Sequence, residues 1–269
     1  LLADAQLLFP ALLALFGLLT GSFLNVCIYR IIRDQSVVTP RSYCPCCGET
    51  IAWFDNIPVV SYVLLRGNCR HCQQPISLRY PAVELITSLL FAMLGARYGA
   101  HLVCLKWCVF EALLVTLSFT DLEERILPDE LTIGGAIAGL FFAVLAPAPG
   151  VFSELFLPRA QPLVQSLLEA ALGAVLMTLP IWGLAVFWGR MRKKEMLGMG
   201  DIKLLPLLGA FLGLERGITA LLIGSISGVL IGGSYILLTK QRAASYELPL
   251  GTFFCFGAGL VPLLTSQIR

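Results

Sequence analysis

The sequence from Leu7 to Ile28 carries no charged side chain, and seven more apolar runs follow it. They lie at Ala82 to Tyr98, Leu102 to Phe119, Leu131 to Leu145, Leu163 to Trp188, Leu204 to Leu214, Ile218 to Leu238 and Gly251 to Leu264. A helix needs about twenty mostly apolar residues to cross the hydrocarbon core of a bilayer. A chain of 269 residues has room for eight such crossings and their connections, but not for a large second domain. Charged residues make up only 13%, against roughly a quarter in soluble proteins, which excludes a soluble globular fold. The expected fold class is an all-α polytopic membrane protein with about eight transmembrane helices in contact with membrane lipid. The Leu204 to Leu214 run is short for a crossing, and Leu131 to Leu145 is marginal. A net charge of +2 is too small to indicate a nucleic-acid partner, and none is expected.

The first run has no basic residue before it and ends at Arg30 and Arg33, so it reads as a retained span with its amino end outside. The first residue is Leu1 rather than Met, and a few leading residues are expected to have been trimmed, with no bearing on function. With eight crossings, one side receives Arg30, Arg33, Arg41, Arg66, Arg70, Arg79, Arg125, Arg190, Arg192, Lys193, Lys194, Lys203, Lys240 and Arg242. The other receives Arg97, Lys106, Arg159, Arg216 and Arg269. Cytoplasmic loops collect Lys and Arg, so the first side is the cytoplasmic one. Asp121 and Asp201 both fall on it.

Between the first and second runs lies the one extended polar segment, Arg33 to Tyr80. Cys44-x-x-Cys47 and Cys69-x-x-Cys72 form two knuckles in it, with Pro45 and Gly48 shaping the first turn. Four thiolates in this pattern suit a tetrahedral structural zinc, and a reducing compartment argues against disulfides. The expectation is a small cytoplasmic zinc-ribbon-like domain that the metal helps to fold. Cys46 and His71 have poorer spacing and are left out of the ligand set. Cys27, Cys104, Cys108 and Cys255 lie in apolar runs and read as small apolar fillers.

The acids divide by position. Asp129 follows Pro128 just before an apolar run and reads as a helix cap. Glu123 and Glu124 read as solvated loop acids beside Arg125. Glu84, Glu111 and Glu169 lie within or at the edge of spans; Glu111 and Glu169 need a partner or water there. Asp121 closes a long apolar run, at the helix end where the macrodipole disfavours a carboxylate. Asp201 stands behind Gly198 and Gly200 at a helix start, where the macrodipole favours one. Two carboxyls in unlike environments at one membrane depth fit general acid and general base roles in peptide hydrolysis. On residue chemistry alone three readings stay open: a catalytic pair, a proton or ion pathway of a transporter using Asp121 and Asp201, and helix-end structure.

The ordered segments add a resemblance. Gly21-Ser22-Phe23-Leu24-Asn25-Val26 with Tyr29-Arg30, Cys44-Pro45-Cys46-Cys47-Gly48, Trp53-Phe54-Asp55-Asn56-Ile57-Pro58, Arg66-Gly67 through Cys72, and Arg79-Tyr80-Pro81 to Glu84 come in sequence. Asp121 with Leu127-Pro128-Asp129, then Gly198-Met199-Gly200-Asp201-Ile202-Lys203, follow. Together they resemble the type 4 prepilin peptidases, bacterial inner-membrane leader peptidases of the GxGD aspartyl class. The resemblance implies that Asp121 and Asp201 are the catalytic aspartates, facing the cytoplasm. It implies a prepilin or pseudopilin substrate, cut after a Gly that ends a short basic leader. It also implies methylation of the new amino terminus with S-adenosylmethionine, whose site no glycine-rich fingerprint marks. Glu123 and Glu124 become candidate partners for the basic leader. The segment Glu247-Leu248-Pro249-Leu250-Gly251-Thr252-Phe253 departs from the family, which usually carries Pro where Thr252 stands. The expected organisation is a first transmembrane helix (1–32), a cytoplasmic tetracysteine zinc-binding domain (33–80) and a transmembrane aspartyl peptidase domain (81–269).

Overall fold

The computed structural model describes residues 2–192, 198–239 and 248–264, and within them the chain is helical, joined by turns and two isolated β-bridges. Lys193, Lys194, Leu197, Lys240, Arg242, Glu247 and Arg269, on which parts of the charge map and of two sequence segments rest, lie outside the described residues. The helices are α1 (Leu2–Ile31), α2 (Val60–Leu64), α3 (Arg79–Tyr98), α4 (Leu102–Glu124), α5 (Asp129–Leu145), α6 (Val151–Phe156), α7 (Pro162–Arg192), α8 (Met199–Ser227), α9 (Gly233–Thr239) and α10 (Leu250–Leu264). Each apolar run has become helix, with the ends extended by polar residues. Among the described residues, four helical stretches are long and apolar enough to cross a membrane: Leu7–Ile31, Leu102–Glu124, Pro162–Met191 and Met199–Thr239. The last of these joins two runs that the sequence separates. Its helix continues from Met199 through a wider turn at Gly228–Gly232 into α9, interrupted by Gly213 at φ 74.

By packing, the chain falls into two units, Leu1–Thr116 and Leu117–Arg269. In the first, α1 lies against α3 along Gly17, Gly21 and Asn25, which share a face at four-residue spacing. A Cβ on Gly17 would stand 2.7 Å from the Ser88 Cα, and one on Gly21 2.7 Å from the Glu84 Cα. Small residues let helix backbones close to this distance where lipid supplies no hydrophobic drive, and interhelical hydrogen bonds then form. The Ser88 hydroxyl donates to the Ala14 carbonyl at 2.9 Å, and Asn25 Nδ2 donates to the Tyr80 carbonyl at 3.0 Å. The opposite face of α1 presents Leu8, Leu12, Leu15, Phe16, Leu19 and Phe23 outward.

In the second unit α8 is the central helix, packed on α5, α7 and α10. Glycine again sets the approach: Gly173 of α7 and Gly209 of α8 meet backbone to backbone, and a Cβ on Gly139 would lie 2.7 Å from the Ala210 Cβ. The break at Gly213 frees an N–H in the next turn. Glu169 of α7 answers it, accepting from the Leu214 N–H at 3.4 Å through Oε1 and from the Ser153 N–H at 3.0 Å through Oε2. Glu169 thus has the partners that a buried acid requires, which ties α6, α7 and α8 together. Glu111 differs: its Oε1 is buried without a hydrogen bond among the described residues. Lys106 Nζ lies 4.9 Å from the centre of the Trp107 ring.

Candidate active site and metal centre

Asp121 sits in the last turn of α4, Asp201 in the first turn of α8, and Thr252 in the first turn of α10, all within the second unit. The first N–H groups of a helix have no acceptor inside it. In α10 two consecutive ones are turned to the acids: the Thr252 N–H donates to Asp121 Oδ2 at 2.7 Å, and the Gly251 N–H is directed at the Asp201 carboxylate. The Thr252 hydroxyl adds a second contact to Asp121 Oδ2 at 2.8 Å and a contact of 3.1 Å to the Ser118 carbonyl. Asp201 lies close enough to Asp121 for the two charges to act on each other. Asp121 is buried and Asp201 half-buried. Two acids eighty positions apart therefore come together, spanned by the amino end of a third helix.

Glycine is needed where that end approaches. A Cβ on Gly251 would lie 2.9 Å from Leu127 Cδ1 and 3.1 Å from Asp121 Oδ2. Gly200 faces the same leucine, and a Cβ there would be 3.2 Å from the Leu127 Cβ. Leu127 is buried between the two glycines, which packs the Leu127-Pro128-Asp129 segment against Gly200 and Gly251.

Three sequence expectations need correction. Asp129 does not cap α5: Pro128 holds the cap position in extended conformation without a side-chain hydrogen bond, and Asp129 is the first helical residue. Its carboxylate instead receives Lys203 Nζ at 2.7 Å on both oxygens. Packing of Gly200 on Leu127 brings that lysine within reach. Asp121 lies in the last turn of α4 but is not its last residue, since the helix ends at Glu124, so Glu123 and Glu124 are exposed helix residues rather than loop residues. The chain reverses at Arg125, with φ 58. Since both partners of the Lys203–Asp129 pair are substantially exposed, Lys203→Ala is expected to change stability by less than about 1 kcal/mol. Thermal unfolding of the variant in detergent checks this.

In the loop after α1, the thiols of Cys44, Cys47, Cys69 and Cys72 all lie within 4.8 Å of one another, and Cys46 and His71 stand outside the group. The two knuckles repeat one backbone pattern. Cys44 N–H donates to the Glu49 carbonyl and Gly48 N–H to the Cys44 carbonyl at 2.8 and 2.9 Å; Cys69 N–H donates to Gln74 and Gln73 N–H to Cys69 at 2.9 and 3.0 Å. Residues Gly48 and Gln73, at φ 73 and 58, make the equivalent turns. Burial pushes the Cys44 thiol up, but donors aimed at it, the Cys47 and Cys46 N–H groups and neighbouring thiols, bring it down to about 7. The Gln74 N–H favours the Cys72 thiolate, yet burial and the three other sulfurs carry that thiol up to about 12. Four thiolates this close repel one another unless a cation lies among them.

The aromatic segment between the knuckles has its own ties. Arg70 donates to Asp55 through Nε and Nη2 at 2.7 and 2.6 Å and holds that carboxyl below the usual range. The Ser61 hydroxyl donates to the Phe54 carbonyl at 2.9 Å, and Glu84 Oε2 accepts the Val59 N–H at 2.7 Å. Glu84 thereby anchors the loop to α3. The four remaining cysteines, Cys27, Cys104, Cys108 and Cys255, are buried in helices, as small apolar fillers are.

Helices long and apolar enough to cross a membrane, paired carboxylates where helix ends meet, and a four-thiol cluster in a polar loop define a multi-pass membrane protein with a candidate site built from acids. Residues 15–98 match the family model of the bacterial Peptidase A24 N-terminal domain, and residues 108–233 match that of the type IV leader peptidase family. Similar curated proteins include the prepilin leader peptidase/N-methyltransferase of Myxococcus xanthus, 39% identical over 89% of this chain and 67% of that protein. Those of Aeromonas hydrophila and Neisseria gonorrhoeae are 35% and 33% identical, each over 96% of this chain and 91% of the relative. No solved structure is a significant match. The chain belongs to the type IV leader peptidase family.

Proposed function

We propose that this chain cleaves the basic leader from type 4 prepilins or pseudopilins and then methylates the new amino terminus, with Asp121 and Asp201 as the catalytic pair. The observation that carries the peptidase reading is the convergence of the two carboxylates under consecutive N–H groups of α10. One carboxylate of the pair takes a proton from water as the water oxygen attacks the scissile carbonyl carbon. The other carboxyl gives its proton to the carbonyl oxygen. Collapse of the resulting diol breaks the C–N bond, and the proton taken from water passes to the leaving amine. The relatives' printed names support both activities and give none to a transporter that would use the same acids. S-adenosylmethionine is the methyl donor that the family resemblance implies for the second reaction.

The proposed setting is a bacterial inner membrane, with the pair at the cytoplasmic face and Glu123 and Glu124 beside it to receive a basic leader. A helical stretch of 41 residues, Met199–Thr239, would extend about 60 Å, twice the hydrocarbon thickness. The break at Gly213 supports dividing it into two crossings, and so supports an eight-span arrangement. The organisation proposed is a first helix to residue 32, a metal-binding loop to residue 80, and a peptidase domain beyond it, although packing groups the chain at Thr116. In that loop Cys44, Cys47, Cys69 and Cys72 would hold a structural zinc. The donor set fits, because four sulfurs complete a tetrahedron and leave no open position for chemistry.

Purified protein incubated with a prepilin and methyl-labelled S-adenosylmethionine is expected to release the leader and label the new amino terminus. Mass spectrometry of both fragments reads the two steps separately. An intact prepilin after prolonged incubation would overturn the peptidase reading, and a cleaved but unlabelled product would overturn the methyltransferase reading.

A further inference from the structure

Thr252 reaches Asp121 in two ways, and the two behave differently. Its backbone N–H can only donate, and it fixes Asp121 Oδ2 at 2.7 Å. Its hydroxyl has one proton and two neighbours, Asp121 Oδ2 at 2.8 Å and the Ser118 carbonyl oxygen at 3.1 Å. A hydroxyl donates once and accepts through its lone pairs. When Asp121 is ionised, the hydroxyl proton points to Oδ2. When Asp121 takes a proton it takes it on Oδ1, because Oδ2 already accepts two hydrogen bonds, and both contacts to Oδ2 persist. Ser118 lies one helical turn before Asp121 on α4, so the second contact of the hydroxyl ties Thr252 to the same helix.

We infer that Thr252 is a positioning residue for leader cleavage, its N–H and hydroxyl together holding Asp121 Oδ2 so that the acid keeps one place while its other oxygen exchanges the proton. The inference rests on the reading of Asp121 as half of the catalytic pair. Both bonds fall on Oδ2, and Oδ1 is thereby left for water or the scissile peptide. A carboxyl that alternates between giving and taking a proton at one oxygen gains from donors that hold the other oxygen in place.

The test uses full-length protein in detergent with a prepilin substrate, reading kcat and KM for cleavage, and separately methylation of a pilin already freed of its leader. Thr252→Val keeps the shape and the N–H but has no hydroxyl; it is expected to lower kcat on the order of ten- to a hundredfold with KM unchanged. Thr252→Ser, which retains the hydroxyl, is expected to recover most of the rate. Methylation is expected to stay at the wild-type level in both. Wild-type cleavage by Thr252→Val overturns the inference. So does a parallel loss of cleavage and methylation that Thr252→Ser fails to restore, because that pattern describes damaged packing. Asp121→Asn is assayed alongside: full cleavage there overturns the aspartate pair itself, whereas an inactive Asp121→Asn with a fully active Thr252→Val overturns the role of Thr252 alone.

Discussion

Replacing either Asp121 or Asp201 by Asn is expected to lower leader cleavage by about 10²–10⁴-fold, the range lost when a positioned proton donor or acceptor is removed. Asn matches the carboxyl in shape, and its amide oxygen at position 121 still accepts the Thr252 N–H, so the helix ends remain packed. What is lost is proton transfer. The double variant is expected to be scarcely worse than either single one, because groups that act as a unit do not contribute additively. Single-turnover cleavage of a prepilin measures the rates, and retained methylation of a pilin that already lacks its leader shows that the variants are folded. Cleavage by either variant at the wild-type rate would remove that residue from the pair.

The second large effect concerns the metal. Purified protein is expected to contain about one zinc per chain, and Cys44→Ser with Cys72→Ser is expected to contain none. The loop then loses a metal whose binding supplies on the order of 10 kcal/mol in small zinc modules. It has little with which to replace it. Trp53, Phe54, Ile57, Val60, Val63 and Leu64 are exposed, and of the residues in α2 only Ser61 is buried. Elemental analysis reads the first expectation, and the rate of limited proteolysis within residues 33–80 reads the second. Folded wild-type protein without zinc would overturn the assignment.

Local chemistry accounts for how much of this was legible in the sequence. Apolar runs became helices because a chain in lipid must satisfy its own N–H and C=O groups along each crossing. The two knuckles were legible because the pairing of their cysteines depends on a turn of four residues. The runs ending at Leu214 and starting at Ile218 read as separate helices, and the backbone does break between helical segments there, at Gly213. Helix polarity likewise assigned unlike environments to Asp121 and Asp201 without the N–H groups that reach them from α10.

The sequence alone determined the helices, the spacing of the four thiols and, through segments in a fixed order, the family. These depend on neighbours along the chain. Only the tertiary structure decided that Asp129 pairs with Lys203 rather than capping α5, that Glu169 serves the break at Gly213, and that Thr252, first noticed as a departure from proline, holds Asp121. Each of those partners lies between 45 and 131 positions away in sequence. A side chain's hydrogen-bond partner over such distances depends on how closely helices pack, and here glycines on facing helices set that closeness.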